Sequence, residues 1–110
     1  MPKQFILKKD VYREKRGHYS RFLNVFCESC GGHLVLYQKD GPGELRRLYL
    51  DRICAPSISR SSTGEFVCPK CEKVIGTFYI YQKEKRPAIR LYQGSVVKRV
   101  DTGVYPSSRR

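Results

Sequence analysis

The sequence predicts an all-β domain made of two copies of one unit, each a Cys-x-x-Cys turn followed by a β-hairpin. Three observations carry this expectation. Cys27-Glu-Ser-Cys30 and Cys68-Pro-Lys-Cys71 place four thiols at metal-ligand spacing in a chain of 110 residues. The triplets Tyr37-Gln38-Lys39 and Arg47-Leu48-Tyr49 recur in the same order after the second pair, as Tyr81-Gln82-Lys83 and Arg90-Leu91-Tyr92. The stretches between turn signals are rich in Val, Ile, Leu, Tyr and Phe, which suits strands more than helices.

Taken in order, residues 4–13 and 19–26 read as an N-terminal pair of strands around Lys15-Arg16-Gly17. A helix over 3–16 is the alternative, disfavoured by Val11, Tyr12 and the lack of helical spacing. In the first unit, 33–39 is an outgoing strand, Asp40-Gly41-Pro42-Gly43 a turn, and 44–53 the return strand. A Ser-rich connector covers 55–65. In the second unit, 77–83 goes out, 84–87 turns and 88–97 comes back. The repeats span about 25–54 and 66–97 of a single domain over 1–100, and 101–110 is expected to be a mobile basic tail. Shared triplets with small changes in the lengths between them point to an internal duplication.

Five cysteines are an odd number, which argues against a closed disulfide framework. Two residues between cysteines let one tight turn aim both sulfurs at a point. Two such turns complete a tetrahedron around one structural zinc, with Zn–S distances of ~2.3 Å. Cys27, Cys30, Cys68 and Cys71 are the expected ligands, and Gly31 and Gly32 suit the backbone angles of the first turn. Iron in the same cage is the alternative metal. A site closed by four sulfurs leaves no position for substrate, so its role is structural. His33 lies near the site but is not needed as a ligand, and His18 is expected on the surface. Cys54 is left over. Its place in the repeat, opposite Val97, favours a small buried apolar residue over a reactive thiol.

These cysteine pairs and their separation resemble zinc-ribbon proteins, most closely the β-tent arrangement. Cereblon-type ligand domains, methionine sulfoxide reductase B and the Mss4-like family share it. The resemblance covers residues 25–97 and implies two sheets pinned by two Cys-x-x-Cys turns on one zinc. Cys-Pro-x-Cys also resembles the turns of rubredoxins. Neither a catalytic cysteine motif of the reductases nor an aromatic ligand cage is present, and the chain has no Trp. A likeness at this level implies a fold and no activity.

Lys and Arg number 22 against 10 Asp and Glu, a net charge of +12. The excess is uneven. Residues 1–26 carry seven basic and two acidic side chains, 27–53 carry four of each, and 67–97 carry six and two. A basic face is therefore expected rather than a uniformly charged surface. Strand alternation supplies a candidate. Phe78, Ile80, Ile89 and Leu91, with Leu34, Leu36, Leu48 and Leu50, form an apolar set. Tyr37, Lys39, Arg47, Tyr49, Tyr79, Tyr81, Lys83, Arg90 and Tyr92 form an aromatic and basic set. Interleaved Tyr and Arg suit RNA or single-stranded DNA, the rings stacking on bases and the cations meeting phosphates. Packing of the same tyrosines against a neighbouring sheet is the competing explanation. Lys8, Lys9, Arg13, Lys15, Arg16 and Arg21 are a second candidate contact, and Lys98, Arg99, Arg109 and Arg110 a third.

The function expected is that of a zinc-stabilised, non-catalytic nucleic-acid-binding accessory protein, with RNA or the ribosome as partner. A zinc-pinned protein-interaction module in a larger complex is the alternative. A β-tent enzyme ranks last, because no nucleophile can be placed beside a base. No apolar stretch approaches the ~20 residues of a membrane span, and residues 1–10 hold too short an apolar run for a signal peptide. A cytoplasmic location without membrane contact follows as the expectation.

Overall fold

Ten strands, one short helix and one 3-10 turn make up the computed structural model, which describes residues 3–15, 17, 19–58 and 62–105. In chain order they are β1 (Lys3–Gln4), α1 (Val11–Lys15), β2 (Ser20–Cys27), β3 (His33–Asp40), β4 (Arg47–Tyr49) and the 3-10 turn Leu50–Arg52. There follow β5 (Ile53–Ala55), β6 (Glu65–Val67), β7 (Val74–Tyr81), β8 (Arg86–Leu91), β9 (Val96–Asp101) and β10 (Val104–Tyr105). The chain is mostly β, as the composition of its segments predicts.

Two four-stranded antiparallel sheets carry the fold, one ordered β5-β3-β2-β9 and the other β4-β8-β7-β6. A third, two-stranded sheet pairs β1 with β10. The main sheets face each other across a core of Val25, Val35 and Tyr37 from the first and Leu48, Phe66, Ile75, Phe78 and Ile89 from the second. Phe66 and Phe78 meet edge to face at 6.3 Å. β-Branched and aromatic side chains at alternate positions make these strands, and burial of one face of each sheet holds them together.

The first hairpin is not where the sequence places it. β3 pairs with β2 and β5, whereas β4 leaves for the second sheet and pairs with β8. The hairpin turn is the Cys27–Cys30 turn itself, which joins β2 to β3, and Cys68–Cys71 joins β6 to β7 in the same way. The stretch 41–46, with Gly41, Pro42 and Gly43, is too long for a tight turn and carries the chain between sheets instead. The hairpin of the second unit is present as β7–β8. The return strand expected over 88–97 is broken at residues 92–95, where Gly94 takes φ +75°, and β9 then crosses to pair with β2. Each sheet thus receives a strand from the half of the chain that builds the other.

The N-terminal strand expected over 4–13 is also corrected. Only Lys3–Gln4 is a strand, and Val11–Lys15 is a single helical turn. Asp10 explains the turn: its carboxylate accepts from the backbone N–H of Tyr12 (3.2 Å) and Arg13 (3.3 Å), satisfying donors that open a helix. The preceding segment docks by side chain rather than by ladder. Lys8 N–H donates to Gln38 Oε1 at 2.7 Å, and Gln38 Nε2 donates back to the Lys8 carbonyl at 2.9 Å. Asp101, where the tail was to begin, ends β9, and Val104–Tyr105 pairs with β1. The remainder of that tail, 106–110, and Arg16 and His18 lie outside the described residues.

A buried ionic cluster ties these parts together. Arg52 is 2% exposed. Its Nε donates to Asp40 Oδ2 at 2.8 Å, and its Nη1 and Nη2 donate to the two Asp10 oxygens at 2.9 and 2.5 Å. Asp40 also accepts from Ser20 Oγ at 2.7 Å and Gln38 Nε2 at 2.9 Å. The Arg52 guanidinium holds Asp10 down at about 2 against the desolvation that opposes it.

Candidate metal centre and basic surface

The two Cys-x-x-Cys turns have the same backbone. Cys27 N–H donates to the Gly32 carbonyl (2.8 Å) and Gly31 N–H to the Cys27 carbonyl (2.8 Å). Cys68 N–H donates to the Lys73 carbonyl (2.9 Å) and Glu72 N–H to the Cys68 carbonyl (2.9 Å). The closing residue is left-handed in both, Gly31 at φ 75° and Glu72 at φ 66°. Of the two glycines expected for the first turn, Gly31 takes the left-handed angle and Gly32 does not, and the second turn accepts a side chain in a conformation that disfavours one. Backbone N–H groups point at sulfur, Gly32 to Cys30 and Lys70 to Cys68, each at 3.4 Å.

The turns bring the four sulfurs within 4.8 Å of one another. Cys27 lies 3.7 Å from Cys71, and Cys30 lies 3.6 Å from Cys68. A tetrahedral ion with bonds of ~2.3 Å needs sulfurs about 3.8 Å apart, so the cage fits such an ion with small adjustments. Cys27 and Cys68 are buried, Cys30 and Cys71 exposed. Burial pushes the Cys68 thiol up, but N–H groups of Cys71 and Lys70 and the Cys30 thiol outweigh it and bring it to about 7. At Cys71 a backbone N–H from Lys73 favours the thiolate, yet desolvation and the three facing sulfurs prevail and push it up to about 11. Four thiolates at this distance repel unless a cation sits among them. His33 is not in the cage. Its Nε2 meets Asn24 Oδ1 at 2.7 Å, and its ring packs on Phe26 and Tyr105. Cys54 is half-buried in β5, and burial pushes its thiol up, away from reactivity.

The aromatic and basic set divides in two. Pairing of β4 with β8 and β8 with β7 brings Arg47, Tyr49, Tyr79, Tyr81 and Arg90 onto the outer face of the second sheet. There they interleave with Arg86 and Tyr12. The Arg86 guanidinium lies 3.9 Å from the Tyr12 ring centre and 3.7 Å from that of Tyr49. Tyr49 meets Tyr81 at 5.8 Å, Arg47 lies 4.3 Å over Tyr81, and Arg90 lies 5.0 Å over Tyr79. Arg47 Nε donates to the Tyr79 hydroxyl at 2.8 Å.

Tyr37 and Lys39 do not belong to this surface. β3 is buried along both faces, so alternation alone could not tell its inner side from its outer. Tyr37 is 2% exposed and points into the core, its hydroxyl accepting from Tyr49 N–H at 2.9 Å. Lys39 is buried, and its Nζ donates to the carbonyls of Gly41 and Pro42. Tyr49 is on the surface side but buried under Arg86. Lys83 and Tyr92 are exposed at the ends of the β7–β8 hairpin. In the N-terminal segment Lys8 Nζ donates to the Asp51 carbonyl and Arg13 Nε to Ser20 Oγ, while Lys9 and Lys15 are exposed.

Sequence reasoning missed three arginines. Arg52 and Arg86 are buried, and Arg86 is paired with Asp51 (2.7 Å) and Glu84 (2.8 Å). Their partners are mostly distant in sequence, which no local pattern reveals. Strand alternation puts only one of Arg46 and Arg47 on a given face, so the pattern carries no sign of Arg46. It lines a groove of about 560 Å³ with Arg47, Arg90, Lys98, Tyr79 and Tyr92. Among the described residues no helix is long and apolar enough to cross a membrane. The chain matches no protein-family model, no curated protein and no solved structure.

Proposed function

We propose that this chain is a zinc-stabilised, non-catalytic nucleic-acid-binding accessory protein of the cytoplasm, with RNA as its partner. One Zn2+ held by Cys27, Cys30, Cys68 and Cys71 would pin the two sheets at the turns that join β2 to β3 and β6 to β7. Thiolate ligands favour zinc and also accept iron. The matched backbone of the two turns and the exchange of β4 and β9 support a duplicated unit and a β-tent-like arrangement. The observation that carries the functional reading is the interleaved Tyr and Arg surface on β4, β8 and β7. It lies in a chain of net charge +12. Arg and aromatic planes side by side are what single-stranded nucleic acids stack on.

The test is binding of labelled oligonucleotides to zinc-loaded protein across a salt series. Affinity should fall steeply between 50 and 200 mM salt, by ~300-fold if six phosphates of a single strand are contacted. No binding at 50 mM, or binding insensitive to salt, refutes the reading.

An edge strand favours a second reading, a protein-interaction module. β9 lies at the edge of its sheet with Val97 and Val100 exposed, and an open edge can accept a partner's strand. A stoichiometric protein partner that survives nuclease treatment would support this reading over the first.

A further inference from the structure

Two contrasting groups of arginines frame the second sheet and its groove. Arg52 and Arg86 are buried, and each is matched by two carboxylates. Arg46, Arg47, Arg90 and Lys98 instead converge on the groove, with Glu44 the one carboxylate among the lining residues. Among the described residues, none of these four cations forms an ion pair within 4.0 Å. Arg47 and Arg90 stand directly opposite each other on the paired strands β4 and β8. Like charges in that position destabilise a sheet. A fold that neutralises Arg52 and Arg86 but gathers these four cations has the electrostatics of a site for a polyanion.

The groove also carries two rings on a built frame. Tyr79 is held by Arg47 through its hydroxyl. Tyr92 is 46% exposed and is presented by a tight turn. Ser95, itself buried, fixes that turn: its Oγ lies 2.9 Å from the Ile75 carbonyl and 2.7 Å from the Tyr92 carbonyl, with its one proton available to either, and Tyr92 N–H donates to the Ile75 carbonyl (3.0 Å). Arg46 is held beside it, because its carbonyl accepts from Leu91 N–H at 3.2 Å. Lys98 comes from the other sheet, on β9 opposite Val25. Cations from both sheets therefore flank the rings.

We propose that this groove binds a single-stranded nucleic-acid segment. One base stacks on Tyr92, and flanking phosphates meet Arg46, Arg90 and Lys98. This rests on the nucleic-acid reading above and names its site and strand form. A concave site lined by rings requires a base that has left its stack, which a single strand offers at no unpairing cost and a duplex does not. The one described helix has five residues and is too short to read a major groove. Ribose and deoxyribose strands share the bases and phosphates invoked.

The test compares fluorescent decamers of single-stranded RNA, single-stranded DNA and the matching DNA duplex on zinc-loaded protein over a salt series. The single strands should bind more tightly than the duplex. An RNA preference would point to the ribose hydroxyl, and equal affinities to bases and phosphates alone. Tyr92→Ala should weaken single-strand binding about 5- to 150-fold. Arg46→Gln with Lys98→Gln should make the slope of log K against log salt shallower by about 1.4, from ~0.7 per phosphate. Lys85→Gln, exposed in the β7–β8 turn, should leave the slope unchanged. If the wild type binds but the groove variants match it, or the duplex binds as tightly as the single strands, the groove proposal falls and the broader reading stands. If the wild type binds no strand at 50 mM salt, both fall.

Discussion

Replacing Arg52 by Met keeps most of the stem and removes all five N–H donors, so it isolates the buried ionic cluster. The cost can be assembled from the two partners. Asp40 has a side chain only 4% exposed and would keep its bonds from Ser20 and Gln38 while losing the one cation that pairs with it among the described residues. A charged hydrogen bond to a buried carboxylate contributes ~1.5–3 kcal/mol, and the charge left unpaired raises the penalty further. Asp10 is different, with a side chain 41% exposed, so water replaces Arg52 there and its share is at most ~1 kcal/mol. The expected loss is ~3–5 kcal/mol, a large part of the ~5–15 kcal/mol that holds a domain together. Urea unfolding of the zinc-saturated protein, followed by tyrosine fluorescence and circular dichroism, measures it. Asp40→Asn in the Arg52→Met background should recover about half, because the buried charge disappears with its partner. A loss below ~1 kcal/mol, or a double variant as unstable as the sum of the singles, would refute this account of the cluster.

Four further outcomes are expected. Elemental analysis should find one zinc per chain, and a chelator should lower the unfolding midpoint sharply at pH 7; superimposable curves with and without chelator would remove the metal from the fold. Zinc affinity should also fall as pH is lowered, since binding displaces protons from Cys71, held up at about 11 by desolvation and its neighbouring sulfurs, and from Cys68 at about 7. Glu72 sits at φ 66° with its side chain exposed, so Glu72→Gly should stabilise the metal-bound protein by ~0.5–1 kcal/mol; a destabilised variant would show that the Glu72 side chain contributes contacts outweighing the backbone. Asp10 has a folded value of about 2, below its ordinary 3.8, because Arg52 favours its charged form. Its contribution is therefore present above pH 4 and lost as pH falls through 2. In Asp10→Asn this part of the acid sensitivity should vanish, which acid titration of unfolding detects.

The cysteine spacing and strand-rich segments were enough to identify an all-β chain with four thiols in one cluster, because both signals are local. A two-residue spacer dictates its own turn, and Val, Ile, Tyr and Phe declare strands within a few residues. The same reading put Arg47, Tyr49, Tyr79, Tyr81 and Arg90 on one face, and the β4–β8–β7 pairing does bring them together. Partner choice was beyond it. That β3 pairs across the cysteine turn, that β4 and β9 cross to the opposite sheets, and that Tyr37 faces the core are settled by which surfaces exclude water from each other. A strand with apolar side chains on both faces carries no sign of which side is inner. The roles of the arginines were undecidable for the same reason. Arg52 and Arg46 look alike in sequence, but one lies among carboxylates contributed from residues 10 and 40 and the other on an open groove. Coulombic pairing depends on distances through space, and only the folded chain sets those.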